Sequence, residues 1–297
     1  MQKIVPHLWF DKEAKEAAEF YVSIFSDNSE VTNITTIHNT PSGDCDIVSF
    51  VLAGQDFMAI NAGPFFQFNP SVSFMVYCQS KETVDMLWDK LFEGGTTLMP
   101  LDSYPFSERY GWLQDKYGLS WQIMHSTQET TQKITPSLLF TGDIYGKAEE
   151  AINFYISAFQ NANFDVKSRY EKGEAPDAEG TLKFAAFTLE GQKFAAMDSG
   201  HEHGFSFNEA ISFLVNCEDQ TEVDYYWEKL SAVPEAEQCG WLKDKYGFSW
   251  QISPIQLNEM MRTNDRDKLN SITQAFLKMK KFDLAALEKA YRESKTS

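Results

Sequence analysis

The chain is poor in cysteine. Only Cys45, Cys78, Cys217 and Cys239 occur in 297 residues. They form no C-x-x-C pair and no disulfide framework, which argues against a stapled secreted scaffold and the common zinc spacings. Positive charge is also scarce: 26 Lys and Arg stand against 43 Asp and Glu, a net charge of −17. Nucleic-acid backbones and anionic membrane surfaces repel such a chain, so neither is expected as a partner. No apolar run approaches the ~20 residues of a spanning helix. The opening MQKIVPHLWF lacks the long apolar stretch of a signal peptide. A reducing, cytoplasmic setting is the expectation. Motifs are missing too. There is no Walker loop, no G-x-S-x-G and no H-E-x-x-H. No Gly-rich strand-to-helix loop is followed by an acidic residue, as a Rossmann-like nucleotide or methyl-donor site needs.

What is present is core material, with 43% hydrophobic and 14% aromatic residues. The length suits about two domains. The clearest feature is a stretch written twice. Residues 111–123 read GWLQDKYGLSWQI and residues 240–252 read GWLKDKYGFSWQI, at an offset of 129. Each copy reads as strand, turn and strand, with Gly118 or Gly247 supplying the positive φ of the turn. Leu119, Trp121 and Ile123 share one face of the second strand, and Ser120, Gln122 and Met124 share the other.

Taken in order, alternation and helical spacing predict a strand from Ile4 to Phe10 and a helix from Lys12 to Phe25. Strands follow over Val31–His38, Ile47–Leu52 and Phe57–Asn61. A second βαβββ unit has a strand at Val72–Cys78, a helix at Lys81–Phe92, a strand at Thr96–Leu101 and the two strands of the repeated motif. The pattern then restarts. Ile134–Phe140 answers Ile4–Phe10, Ala151–Phe159 answers Ala17–Phe25, and Asn208–Val215 answers Asn69–Val76. The offset shifts only between elements, as loop variation in a duplicated fold requires. The expected organisation is a first domain over 1–126, a linker at 127–133, a second domain over 134–253 and a helical extension over 254–297. In the extension Leu269, Ile272, Phe276 and Met279 form a stripe, and Asp283 is a candidate N-cap.

The motifs A-x-x-F-Y-x-S-x-F (Ala17–Phe25, Ala151–Phe159), G-Q-x-F and G-W-L-x-D-K-Y-G-x-S-W-Q-I resemble the vicinal oxygen chelate superfamily, and within it the PhnB-like, glyoxalase-related group. The resemblance covers residues 1–292. It implies an α+β fold of two tandem glyoxalase/bleomycin-resistance-like domains, each of two βαβββ units. It also implies that the two domains pair as an internal pseudo-dimer; a homodimer of whole chains stays open. It does not imply one chemistry, since the superfamily holds glyoxalases, dioxygenases, epimerases and drug-binding proteins. Its metal-dependent members carry two His and a Glu, or similar ligands, on concave strands. By the resemblance, the first-strand ligand position falls on His7. The fifth-strand position falls near Ser71 or Ser73, and the last-strand Glu falls on Gln122. In the second copy the same positions fall on Ser137, on Ala210 or Ser212, and on Gln251. An amide is a weak substitute for a carboxylate at a transition metal. No cofactor is therefore expected, and a divalent metal would need a substitute ligand set.

Three functional readings follow. The first is a small-molecule binding protein without a conventional metal triad, its ligand unidentified. The second is a glyoxalase- or dioxygenase-type enzyme with a non-standard site built from His7, Glu108 and Gln122. The third makes the second domain purely structural. Trp9 shares a face with His7 and is the aromatic candidate for a cavity wall. Asn61 and Asp198 end matching strands and either face a cavity or cap a turn. Ser71, Ser73 and Gln251 complete the candidate ligand-binding set. His201-Glu202-His203 reads as loop decoration, because no third metal ligand is indicated.

Overall fold

The computed structural model describes residues 1–128 and 130–293. Glu129 of the expected linker and residues 294–297 of the expected extension lie outside the described residues. Two compact units emerge, and they do not coincide with the sequence repeats. Unit 1 is Met1–Gln67 with the chain from Asn208 onward, and unit 2 is Phe68–Phe207. Each unit takes one βαβββ half from each repeat. The expected boundary at 127–133 therefore falls inside unit 2.

The chain enters unit 1 with β1 (Ile4–Phe10), α1 (Ala14–Phe25), β2 (Glu30–Thr40), β3 (Gly43–Leu52) and β4 (Gln55–Asn61). It crosses into unit 2 with β5 (Val72–Cys78), α2 (Lys81–Phe92), β6 (Thr96–Tyr104), β7 (Ser107–Gln114) and β8 (Ser120–His125). It stays there for β9 (Ile134–Phe140), α3 (Ala148–Ala158), β10 (Asn163–Arg169), β11 (Leu182–Leu189) and β12 (Gln192–Asp198). It returns to unit 1 with β13 (Ile211–Cys217), α4 (Gln220–Leu230), β14 (Trp241–Lys243) and β15 (Ser249–Pro254). The extension adds α5 (Ile255–Met261), α6 (Arg266–Phe276) and α7 (Leu284–Arg292). None of the helices among the described residues is long and apolar enough to cross a membrane.

Each unit is built on one sheet. In unit 1 the order is β14-β15-β13-β1-β4-β3-β2, and in unit 2 it is β10-β11-β12-β9-β5-β8-β7-β6. The halves join through antiparallel first strands. In unit 1 β1 pairs with β13, with His7 opposite Ser212. In unit 2 β5 pairs with β9, with Ser73 opposite Ser137. This junction explains the crossed partition. A first strand left at the edge of its own half would expose a row of unpaired backbone groups, and the other repeat's first strand satisfies them.

Elements begin where side chains fix them. The first helix starts at Ala14, two residues later than its pattern suggests. The reason lies on β4, where Asn61 Oδ1 accepts from Ala14 N at 2.7 Å. Ser80 caps α2 through Thr83 N and Asp219 caps α4 through Glu222 N. Asp283 caps α7 through Ala286 N, as its position suggested. The predicted stripe of the extension runs past its helix, because α6 ends at Phe276. Met279 still packs on the same cluster from the turn that follows. That cluster joins Leu257, Met261, Ile272, Phe282 and Leu287 of the extension to Ile37, Cys45 and Ala62 of unit 1. The three helices thus bury their stripes against the sheet rather than standing alone.

Candidate functional site

The sheet and the extension of unit 1 enclose a cavity of about 850 Å³. Val5, His7 and Trp9 line it from β1, because alternate residues of a strand share a face. Register carries this face across the sheet. His7 lies opposite Ser212, Ser212 opposite Ser249, and Gln251 opposite Trp241. Leu257 and Met261 of α5, with Phe276 and Phe282, form the wall supplied by the extension. Trp241 sets its ring edge-on to His7 at 5.6 Å and to Trp9 at 5.9 Å. Trp9 is held by its own indole N–H, which donates to Gly63 O at 2.8 Å.

Polar groups on this wall are under-satisfied. His7 is 4% exposed and its Nδ1 has no partner. Burial pushes its imidazole down to about 3, so it is neutral across the physiological range. The hydroxyl of Ser249 is also buried and unpartnered. Gln251 Nε2 donates to Ser212 Oγ at 2.9 Å, and this leaves Oε1 on the cavity side without a donor.

The positions in unit 2 that match Gln251 and Ser249 are hydrogen-bonded. Gln122 Nε2 donates to Ser73 Oγ at 2.6 Å, and Gln122 Oε1 accepts from the Tyr110 hydroxyl at 2.8 Å. Ser120 accepts from Trp112 Nε1 at 2.8 Å. In unit 1 Cys239 replaces Tyr110, and Trp241 makes no such bond to Ser249. Ser137, which replaces His7, is buried with its hydroxyl unpartnered. Two nearly identical sequence motifs therefore leave the Ser249 hydroxyl unpartnered in one unit and bond Ser120 and both ends of the Gln122 amide in the other.

The structure regroups the residues singled out in the sequence. His7 and Trp9 come together on the cavity wall with Gln251, not with Gln122. Ser71, Ser73, Glu108 and Gln122 belong to unit 2, and His7 belongs to unit 1. Glu108 is exposed and paired with Lys81 at 2.7 Å. Its carboxyl is held low first by the hydrogen bond from Lys81 and then by that charge. Asn61 and Asp198 are committed to caps. Asn61 holds Ala14 N, while Asp198 accepts from Gly146, Ala148 and Leu182 N at 2.8, 3.1 and 2.9 Å. His203 bonds Ser199 at 2.7 Å within its loop. Trp241 and Ser249, which also line the cavity, were not among the residues singled out in the sequence. The one available signal was the break at Tyr110 and Cys239 just before the duplicated motif.

The duplicated motif has a structural duty of its own. Asp115 Oδ1 accepts from Tyr117 N and Leu119 N at 2.9 and 3.1 Å, and Oδ2 accepts from Trp121 Nε1 at 2.9 Å. Asp244 does the same for Tyr246, Phe248 and Trp250 at 2.8, 3.1 and 2.9 Å. One carboxylate fixes the turn and anchors the indole, which explains why Asp and Trp recur at the same spacing.

A metal does not fit this wall. Around His7 stand the neutral oxygens of Ser249 and Gln251 on the wall and of Ser212 opposite it on β13, with thioether Met58 opposite it on β4. Among the described residues no three His, Cys, Asp or Glu side chains gather as a metal group. A transition metal needs several nitrogen, thiolate or carboxylate donors, which this set lacks.

A family model described as 3-demethylubiquinone-9 3-methyltransferase matches residues 2–124 and again residues 132–253. A solved structure from Bacillus cereus, described as a putative 3-demethylubiquinone-9 3-methyltransferase, PhnB protein, is 42% identical over 42% of this chain and 100% of its own, with a TM-score of 0.40. The chain belongs to the PhnB-like family. It carries that family's unit twice, as the repeats required. Glyoxalase I from Zea mays, at 9% identity, matches 89% of this PhnB-like chain and 97% of its own with a TM-score of 0.56. That likeness establishes the glyoxalase-like fold. Among curated proteins none matches the chain.

Proposed function

We propose that this PhnB-like protein binds a small, largely apolar organic molecule in the cavity of unit 1, without a conventional metal triad. One observation carries the reading: His7 Nδ1 is buried without a partner on the cavity wall. An unpaired buried polar atom costs about 1–3 kcal/mol, and such a cost is characteristic of a site kept for function. The cavity volume of about 850 Å³ lies in the range of small-molecule pockets. The neutral imidazole favours hydrogen bonding over proton abstraction, since a general base works best with its pKa near the working pH and that of His7 is about 3. The methyl transfer in the family's description finds no Gly-rich nucleotide loop here to hold a methyl donor.

Metal analysis of the purified protein tests the metal-free part. The expected result is less than stoichiometric metal. Stoichiometric Zn, Ni, Mn or Fe that disappears in His7→Ala would sink it. A thermal-shift screen of small aromatic compounds tests binding, because a ligand selective for the folded state raises the apparent Tm. Hits are expected for the wild type and weakened in His7→Phe. A screen without hits would argue against the cavity as a binding site.

A further inference from the structure

The two repeats read each other's sites. Just before the duplicated motif, Tyr110 and Cys239 are sequence equivalents, Tyr110 within β7 and Cys239 in the turn that leads into β14. The Tyr110 hydroxyl fills a defined place, 2.8 Å from Gln122 Oε1. Burial pushes that phenol upward, so it stays protonated and donates. In unit 1 the phenol is missing while its acceptor remains. Gln251 is anchored to Ser212 in the same way as Gln122 is to Ser73, at 2.9 and 2.6 Å. Cys239 and Gln251 both line the cavity. Resting on the binding reading above, we propose that the ligand of unit 1 is a neutral aryl alcohol whose hydroxyl donates to Gln251 Oε1, as the Tyr110 phenol does to Gln122 in unit 2.

The rest of the wall agrees with that class. Trp9, Trp241, Phe66, Phe276 and Phe282 offer ring faces and edges to a flat apolar body. The charged wall residues are Asp56, Glu209, Glu235 and Glu259 against Lys243 and Arg262. Lys243 is already paired with Glu209 at 2.8 Å. An anionic head group therefore meets a net negative wall. Ser249 and His7 supply further unpartnered polar atoms for a second substituent.

Calorimetric titration at pH 7 with three probes decides the matter. The probes are 2-naphthol, 2-methylnaphthalene (the same shape without the donor) and 2-naphthoate. The wild type is expected to bind 2-naphthol about tenfold or more tightly than either of the others, the gain from one buried hydrogen bond. In Gln251→Leu and Gln251→Met that preference is expected to vanish while 2-methylnaphthalene binding persists. Equal or tighter binding of 2-methylnaphthalene or 2-naphthoate by the wild type overturns the aryl-alcohol assignment and leaves the cavity reading standing. A preference that survives in both folded Gln251 variants overturns Gln251 as the acceptor. No binding of any probe overturns this proposal and counts against the binding reading too.

Discussion

His7 makes stability depend on pH in a way that can be worked out in advance. Its imidazole sits buried with Nδ1 unpartnered, and burial lowers it from 6.5 to about 3. The unfolded chain, with an ordinary imidazole, takes up a proton as pH falls through 6.5. The folded chain does not do so until about 3. Protons therefore favour the unfolded state throughout that window, and stability falls with falling pH. Each unit of pH below 6.5 removes about 1.4 kcal/mol, so the loss at pH 5 is about 2 kcal/mol. Above 6.5 the residue contributes no slope. Buried carboxylates add slopes of their own, so the comparison must be with a variant. His7→Phe removes the titrating group and the orphaned nitrogen together. It should unfold at higher urea than the wild type at pH 7.5, by about 1 kcal/mol. The difference between the two proteins should widen by about 2 kcal/mol between pH 7.5 and pH 5. Urea unfolding at these two pH values, followed by far-ultraviolet circular dichroism, measures both quantities. Parallel pH profiles would refute the reasoning, because they would mean that His7 is solvated or partnered in the folded state.

Further expectations concern the scaffold. Tyr110→Phe leaves Gln122 Oε1 buried without its 2.8 Å donor and should cost about 1–2 kcal/mol in urea unfolding. Probe binding in unit 1 should be unchanged in that variant. Asp244→Ala strips three donors, including Trp250 Nε1, and should cost about 3 kcal/mol or more; a loss below 1 kcal/mol would show that water replaces the carboxylate. Asn61→Ala removes the cap on Ala14 and should cost about 1 kcal/mol without weakening 2-naphthol binding. An affinity change there would return Asn61 to the ligand site. Gly240→Ala places a Cβ 2.5 Å from Phe282 Cε2 at a φ of +82. It should loosen the extension, visible as faster proteolysis and hydrogen exchange across α6 and α7.

Much of the architecture was legible because local patterns repeat. The motif at 111–123 and 240–252 gave the duplication directly, and period-two and helical spacing placed the strands and helices within a few residues. The PhnB-like membership also followed from motifs on the page. His7 and Trp9 were visible as partners because a strand puts every second residue on one face. What sits opposite them was not visible, since strand pairing between distant segments leaves no local trace. Only the antiparallel junction of β1 with β13 brings His7 to Ser212 and Gln251 and leaves Gln122 in the other unit. The sequence by itself also could not tell a cavity-facing Asn61 or Asp198 from a cap, because the helix start that each one holds lies far away in the chain. The near-identical motifs set the limit most clearly. Their residues determined two copies of one turn, each held by an Asp and a Trp. Tertiary structure decided that Tyr110 bonds the amide of one copy while Cys239 and the C-terminal helices line a cavity beside the other. Whether a buried amide is satisfied depends on what the rest of the chain brings within hydrogen-bonding distance.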